Sequence, residues 1–244
     1  MSEVYRWEKI SEPQQSIYQE HMQDSKYIAP KCVVGLDRDG VINRDLGTYC
    51  WKAEDFDPIP GSLEAVAKIR RLGHKIAVIT NQGGIEKGLF TSEDVDTLHL
   101  HMLNLLESAG CPSIDAIYYS ASSRKDNPFA KPNTGMFERC EKEYAWKKLK
   151  FASGYFVGDK TSDLKAAHKM GATPILVRTG YGKETEQELN CFAYREIKKR
   201  TKIFNTLLDF AVYLELCQLP IMCRWRQRIW HGQKLPILPR NMKR

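Results

Sequence analysis

Val33-Val34-Gly35-Leu36-Asp37-Arg38-Asp39-Gly40-Val41 decides the fold. Its apolar start reads as a buried strand, and two carboxylates one residue apart follow where that strand runs into a glycine turn. In an open α/β sheet, ligands bind outside the carboxyl ends of the strands, so the pair marks a site as well as a strand end. A D-x-D-G string can open an EF-hand calcium loop, but the next ligand position is Val41 and no helix precedes Asp37. Two readings stay open here. One is a solvated Asp/Gly turn. The other gives Asp37 a nucleophilic role, because an aspartate can take up a phosphoryl group as an acyl phosphate, and gives Asp39 the general acid/base role two residues on.

Outward from this stretch, strand-like runs alternate with amphipathic helical segments. Ser62–Leu72 is expected to be a helix with a Ser62 N-cap and Gly73 as its stop. Lys75–Thr80 follows as a strand. Thr91 opens a second helix with apolar Val95, Leu98, Met102, Leu105 and Leu106 at helical spacing and Gly110 beyond its end. Asp115–Tyr119, Tyr155–Asp159 and Pro174–Arg178 read as further strands, Thr134–Lys150 and Ser162–Met170 as helices, and Phe204–Leu216 as a closing helix. Such alternation predicts an α/β fold, a Rossmann-like three-layer sandwich with a mostly parallel sheet and right-handed crossovers.

Composition sets the frame for function. A chain of 244 residues suits one sizeable α/β core. Cysteines at 32, 50, 111, 140, 191, 217 and 223 show neither C-x-x-C nor Cys/His spacing, which fits a reducing compartment without a disulfide framework. No leader-like start appears, and the apolar stretch 203–223 is broken by Asp209, Glu215 and Pro220, so a cytoplasmic protein without a membrane span is expected. The net charge is +7, with 37 Lys and Arg against 30 Asp and Glu. Residues 218–244 hold seven of the basic residues and no acid, which leaves the rest of the chain balanced. With Trp225 and Trp230, this extension has the composition to touch nucleic acid or an anionic surface, or simply to be a solvated terminus. Residues 1–30 are polar with scattered aromatics and read as an N-terminal arm.

Three more motifs lie at expected strand ends. Thr80-Asn81-Gln82-Gly83-Gly84 offers a hydroxyl, amides and glycine N–H groups, either an anion cradle or an Asn/Gly turn. Lys131-Pro132-Asn133-Thr134-Gly135 brings an ammonium ahead of a helix, a counter-charge or a solvated lysine. Gly158-Asp159-Lys160-Thr161-Ser162-Asp163 places two further carboxylates across a strand-to-helix turn. Asp159 meets Asp37 if their strands are neighbours, while Asp163 falls in the first helical turn, where an acid also suits the helix dipole.

Together the four motifs resemble, in order, those of the haloacid dehalogenase superfamily of phosphohydrolases, over residues 31–216. The wording of Leu36–Asn43, Thr80–Ile85, Lys131–Met136 and Val157–Lys160 is similar to the heptose 1,7-bisphosphate and histidinol-phosphate phosphatase branch. The resemblance implies a Mg²⁺-dependent phosphatase in which Asp37 attacks phosphorus and Asp39 first protonates the leaving oxygen, then activates water. It also implies that Thr80 and Lys131 hold phosphoryl oxygens, that Asn81 and Lys160 contact substrate, and that Asp37, the Asp39 carbonyl and Asp159 bind the metal. A carboxylate attacking a phosphate dianion must overcome like-charge repulsion, which Mg²⁺ and a lysine offset. The substrate implied is a small phosphorylated sugar, most of all D-glycero-D-manno-heptose 1,7-bisphosphate. The alternative from another class is a nucleic-acid 3′-phosphatase or a nucleic-acid-associated protein that uses the basic extension.

Residues 31–217 are then the phosphatase domain and 218–244 its basic C-terminal extension. The chain departs from the branch between Tyr119 and Lys131. Relatives commonly carry C-x-H and C-x-C there, whereas residues 120–130 contain no Cys or His, so no structural zinc is expected. Ala130 also stands where the branch has arginine, with Arg124 and Lys125 as nearby replacements. Asp45, Gly47 and Tyr49 match its D-H-G-Y segment loosely. The intervals after Asp37 and after Asn81 leave no room for a large cap domain, so selectivity is expected from the short loops 47–51 and 121–129.

Overall fold

The computed structural model describes residues 4–6, 32–111, 113–144 and 149–218. Six strands run parallel: β2 (Val33–Leu36), β3 (Lys75–Asn81), β4 (Ala116–Ser120), β5 (Tyr155–Gly158), β6 (Thr173–Val177) and β7 (Lys202–Phe204). A seventh, β1 (Val4–Arg6), joins the edge antiparallel to β4. The spatial order is β1-β4-β3-β2-β5-β6-β7. The chain therefore steps outward from β2 to β3 and β4, then returns to lay β5 on the other side of β2. That reversal opens a crevice at the carboxyl end of β2, where Asp37 begins.

Side-chain alternation along the strands builds the layers. Val34, Leu36, Ile76 and Val78 face α1 (Ser62–Arg71), α2 (Ser92–Ser108) and the last helix, α7 (Leu207–Gln218), in one core with Ile69, Leu98, Met102 and Phe210. Val33, Ala77 and Ile79 point the other way, onto Phe137 of α3 (Gly135–Tyr144) and Ala166 and Ala167 of α4 (Thr161–Lys169). Helices cover both faces, as a parallel sheet requires. Among the described residues no helix is long and apolar enough to cross a membrane.

Thr91 caps α2 as its sequence suggests, accepting the Asp94 N–H at 3.2 Å while Asp94 accepts the Thr91 N–H at 2.8 Å. Ser62 does not cap α1. Gly61, at φ +82°, occupies that position, and the Ser62 hydroxyl instead donates to the Ile42 carbonyl at 2.6 Å, tying the helix to the turn after Asp39. The segment expected as a helix over Thr134–Lys150 is helical over Gly135–Tyr144, and Lys150 is extended. Sequence periodicity missed β7 and two short helices, α5 (Gly182–Glu188) and α6 (Arg195–Arg200). Both helices are almost wholly polar, and a strand of three residues is too short to alternate. Residues 37–61 and 82–91 form loops, without an inserted domain. Beyond β1, residues 1–31 and the basic segment 219–244 lie outside the described residues.

Opposite the crevice, Asp115 fastens the amino ends of the strands. It accepts from Arg70 at 2.8 Å, Lys75 at 2.6 Å and the Ile76 N–H at 2.8 Å. Its side chain is 8% exposed, so removing it strands two partly buried cations. Asp115→Ala is expected to destabilise the fold by about 2–4 kcal/mol in urea denaturation. A loss below about 0.5 kcal/mol, the range of ordinary surface changes, would contradict this role.

Candidate active site

Asp37 leaves β2 with its N–H still donating to Val157 on β5, at 2.9 Å, so its backbone is fixed by the central sheet. Lys131 reaches it from the loop before α3. The Lys131 ammonium pairs with Asp37 Oδ1 at 2.9 Å and Asp163 Oδ1 at 2.8 Å, and donates to the Ile79 carbonyl at 2.8 Å. Three acceptors meet three N–H donors. Burial alone would lower the pKa of Lys131, but the charges of Asp163 and Asp37 outweigh it and hold the amine above its ordinary value, so it stays an ammonium. Burial pushes the Asp37 carboxyl up, and the attraction of Lys131 only partly counters this.

Asn81 places that lysine. Its Oδ1 accepts the Lys131 N–H at 2.9 Å and its Nδ2 donates to the Lys131 carbonyl at 3.0 Å, so both ends of the amide hold one backbone unit. Asp159 ends β5 and Asp163 sits in the first turn of α4, its Oδ2 accepting the Lys160 N–H at 3.0 Å. Asp37, Asp159 and Asp163 each present an oxygen within 4.8 Å of the others. Asp159 Oδ2 accepts the Tyr181 N–H at 2.9 Å, while its buried Oδ1 has no partner among the described residues. Burial, then Asp163 and Asp37, raise the Asp159 carboxyl well above the ordinary range. Three crowded carboxylates with an orphaned oxygen fit a hard divalent cation, which takes oxygen ligands and relieves the repulsion.

Asp39 has a different environment. Its carboxylate accepts from Arg38 Nη2 at 3.0 Å, Asn43 Nδ2 at 2.9 Å and Gln82 Nε2 at 3.0 Å. Burial would raise this carboxyl, but the Arg38 charge and the hydrogen bonds from Asn43, Gln82 and Arg38 hold it below the ordinary range. Arg38 is wholly buried, and also donates to the Cys50 carbonyl at 2.6 Å. Its Nη1 lies 3.3 Å from His99 Nε2. Since arginine only donates, Nε2 accepts and the His99 proton is on Nδ1. Gln82 joins Asp39 to Thr80 by donating to the Thr80 hydroxyl at 3.1 Å.

Lys160 stands at the mouth, donating to Asp45 Oδ2 at 2.8 Å with its ammonium 4.7 Å from the Tyr181 ring centroid. Burial opposes its charge, but Asp159, Asp37 and Asp45 together raise its pKa. Arg124, on the loop after β4, is bound to Asp126 at 2.7 Å and lies 3.7 Å from Glu86. Ala130 is buried. The structure thus gathers Asp37, Asp39, Thr80, Asn81, Lys131, Asp159 and Lys160 at one sheet edge. It adds Asp163, which the sequence left as a helix-dipole partner, although its position four residues after Asp159 was a signal. Arg38, Asn43, Gln82 and His99 gave less warning; an arginine flanked by two acids was the available hint.

Comparison with known proteins agrees with this geometry. The family described as HAD-hydrolase-like matches residues 128–209. A D-glycero-β-D-manno-heptose-1,7-bisphosphate 7-phosphatase of Neisseria meningitidis is 35% identical over 180 residues, covering 73% of this chain and 92% of the relative. Its counterpart from Pseudomonas putida is 33% identical over 72% of this chain and 95% of its own. The crystal structure of a D,D-heptose 1,7-bisphosphate phosphatase from B. bronchiseptica, complexed with magnesium and phosphate, superposes with a TM-score of 0.67 at 29% identity, covering 75% of this chain and 97% of that one. The class defined by fold and site is the HAD-like phosphatase. Within it, the chain belongs to the heptose bisphosphate phosphatase family.

His99 gives the site a pH signature. Burial, reinforced by Arg38, holds its pKa well below the ordinary value, while in the unfolded chain the imidazole takes up a proton near pH 6.5. The unfolded state therefore binds more protons below that pH, and stability falls with falling pH by up to about 1.4 kcal/mol per unit. His99→Gln keeps an acceptor for Arg38 without titrating. Urea denaturation at pH 7, 6 and 5 should show a shallower decline in this variant than in the wild type; parallel declines would refute the assignment.

Proposed function

We propose that this protein is a Mg²⁺-dependent phosphomonoesterase that removes the 7-phosphate of D-glycero-β-D-manno-heptose 1,7-bisphosphate through an aspartyl-phosphate intermediate. The observation that carries this reading is the division of labour between the two carboxylates of one turn. Asp37 faces Lys131 and the cluster of Asp159 and Asp163, whereas Asp39 is held apart by Arg38, Asn43 and Gln82.

In the first step Asp39, ionised in the free site and protonated from solvent as substrate binds, gives that proton to the departing sugar oxygen while a carboxylate oxygen of Asp37 attacks phosphorus and the bond from phosphorus to the sugar oxygen breaks. In the second, Asp39 takes a proton from water, the water oxygen attacks phosphorus, and the acyl phosphate bond to Asp37 breaks, releasing inorganic phosphate. Asp37, Asp159 and Asp163 would hold the cation, with the Asp39 carbonyl; when bound it supplies positive charge that offsets repulsion between Asp37 and the phosphate. Lys131 neutralises part of the same charge, Thr80 and the glycines after Gln82 offer donors to phosphoryl oxygens, and Asn81 acts by fixing Lys131. Lys160, with only Asp45 as its ion partner among the described residues, is placed to meet the substrate.

Residues 31–217 make the catalytic unit in this reading, with 1–30 and 218–244 as an arm and a basic extension. The described cysteines are all unpaired, which fits a cytoplasmic reaction on a phosphorylated sugar. The nucleic-acid reading gains nothing from these relatives, and the extension on which it depends lies outside the described residues.

Phosphate release from a panel of sugar phosphates tests the proposal. The heptose bisphosphate should be the best substrate and lose one phosphate, with activity abolished by a chelator and restored by Mg²⁺. Asp37→Asn should lower kcat by about 10⁴-fold or more, as loss of a nucleophile does. Asp39→Asn should lower it by about 10²–10⁴-fold. Turnover by Asp37→Asn close to wild type would end the aspartyl-phosphate mechanism.

A further inference from the structure

The loop after β6 touches the acidic pocket more closely than any motif announces. Thr179 Oγ1 donates to the Gly40 carbonyl at 2.6 Å, so the loop is tied to the turn that carries Asp37 and Asp39. Two residues on, the Tyr181 N–H donates to Asp159 Oδ2 at 2.9 Å. Between them lies Gly180, in the left-handed region at φ +54°, and a Cβ there would stand 2.1 Å from Asp159 Oδ2 and 2.7 Å from Gly40 Cα. Gly40, at φ +83°, is hemmed in the same way, its Cβ position also 2.1 Å from Asp159 Oδ2. Two glycines from separate turns therefore close on one carboxylate. With Oδ2 confined and hydrogen-bonded, Oδ1 is the buried atom left without a partner.

We propose that Thr179-Gly180-Tyr181 is a positioning element for the metal site, fixing the Asp159 carboxylate so that Oδ1 is presented to a divalent cation beside Asp37 and Asp163. The proposal rests on the reading of these three aspartates as the Mg²⁺ site. None of the three loop residues is a ligand. They act through Asp159, as hydrogen-bonded partners orient ligating carboxylates elsewhere, where their loss typically weakens metal binding by about 10–100-fold. The Tyr181 side chain is not part of the device: its backbone N–H holds Asp159, and its ring lies against Lys160.

Calorimetric titration of the full-length protein with Mg²⁺, without substrate, tests this. Gly180→Ala should weaken Mg²⁺ binding by about 10–100-fold. Thr179→Val, which loses the hydrogen bond without adding bulk, should weaken it by about tenfold and carries the test if Gly180→Ala does not fold. Tyr181→Leu keeps the N–H and should bind Mg²⁺ as the wild type does. Gly171→Ala is the strain control. Gly171 has φ +74° and its Cβ position is 3.3 Å from Ala152, outside the site, so this variant should lose stability and keep Mg²⁺ affinity. Wild-type affinity in folded Gly180→Ala and Thr179→Val, or an equal loss in Gly171→Ala or Tyr181→Leu, would overturn the positioning role alone. Failure of the wild type to bind Mg²⁺ would overturn the metal reading and the proposal with it.

Discussion

The Lys131 ammonium is the interaction on which the rest of the site depends. Three carboxylates packed at the end of a buried sheet repel one another, and their burial weakens the screening that bulk solvent gives. Lys131 answers two of the three directly and uses its third N–H on a strand carbonyl, so a single charge fixes Asp37, Asp163 and the end of β3 relative to one another. Asp159 has no ion pair at hydrogen-bond distance among the described residues, only the Tyr181 N–H and the more distant charge of Lys160, which is where a cation is most favourable. The electrostatics of the pocket are thus half satisfied by the chain and half reserved for what binds.

Two carboxylates of one turn acquire opposite character from their surroundings. Asp37 is pressed upward by burial among acids, and Asp39 is held down by Arg38 and two amides. A cation beside Asp37 would favour its ionised, attacking form, while Asp39 rests ionised, the state that the base of the second step needs. The arrangement reaches well beyond the turn. Arg38 leans on Cys50 in the following loop and on His99 in α2, so a helix that never enters the crevice helps to orient Asp39.

Much of this is legible in the sequence. The strand ending in Asp37, the parallel alternation and the four motif positions all follow from local pattern, because buried parallel strands are continuous apolar runs and ligand residues cluster where they end. What pattern cannot reveal is which partner a polar side chain chooses. The family resemblance implies a substrate contact for Asn81, and only the fold reveals that both ends of its amide hold the Lys131 backbone. Ser62 reads as a cap and bonds Ile42 instead. Gly180 carries no signal at all, since its meaning lies in a carboxylate 21 residues earlier that arrives only when β5 and β6 pair.

The loop between β4 and Lys131 shows how far such local bonding can go. Ser120 donates to the Ser122 carbonyl at 2.8 Å, Asn127 accepts the Phe129 N–H at 2.9 Å, and Asn133 donates to the carbonyls of Lys125 and Asn127 at 2.9 and 2.7 Å. Short amides and hydroxyls here satisfy backbone groups that a loop would otherwise leave to water, the means by which Asn and Ser order turns. The segment runs directly into Lys131, whose backbone Asn81 then clamps from the neighbouring strand. Loop order and the position of the central charge are therefore the same structural fact: anything that loosens residues 120–133 also loosens the ammonium on which Asp37 depends.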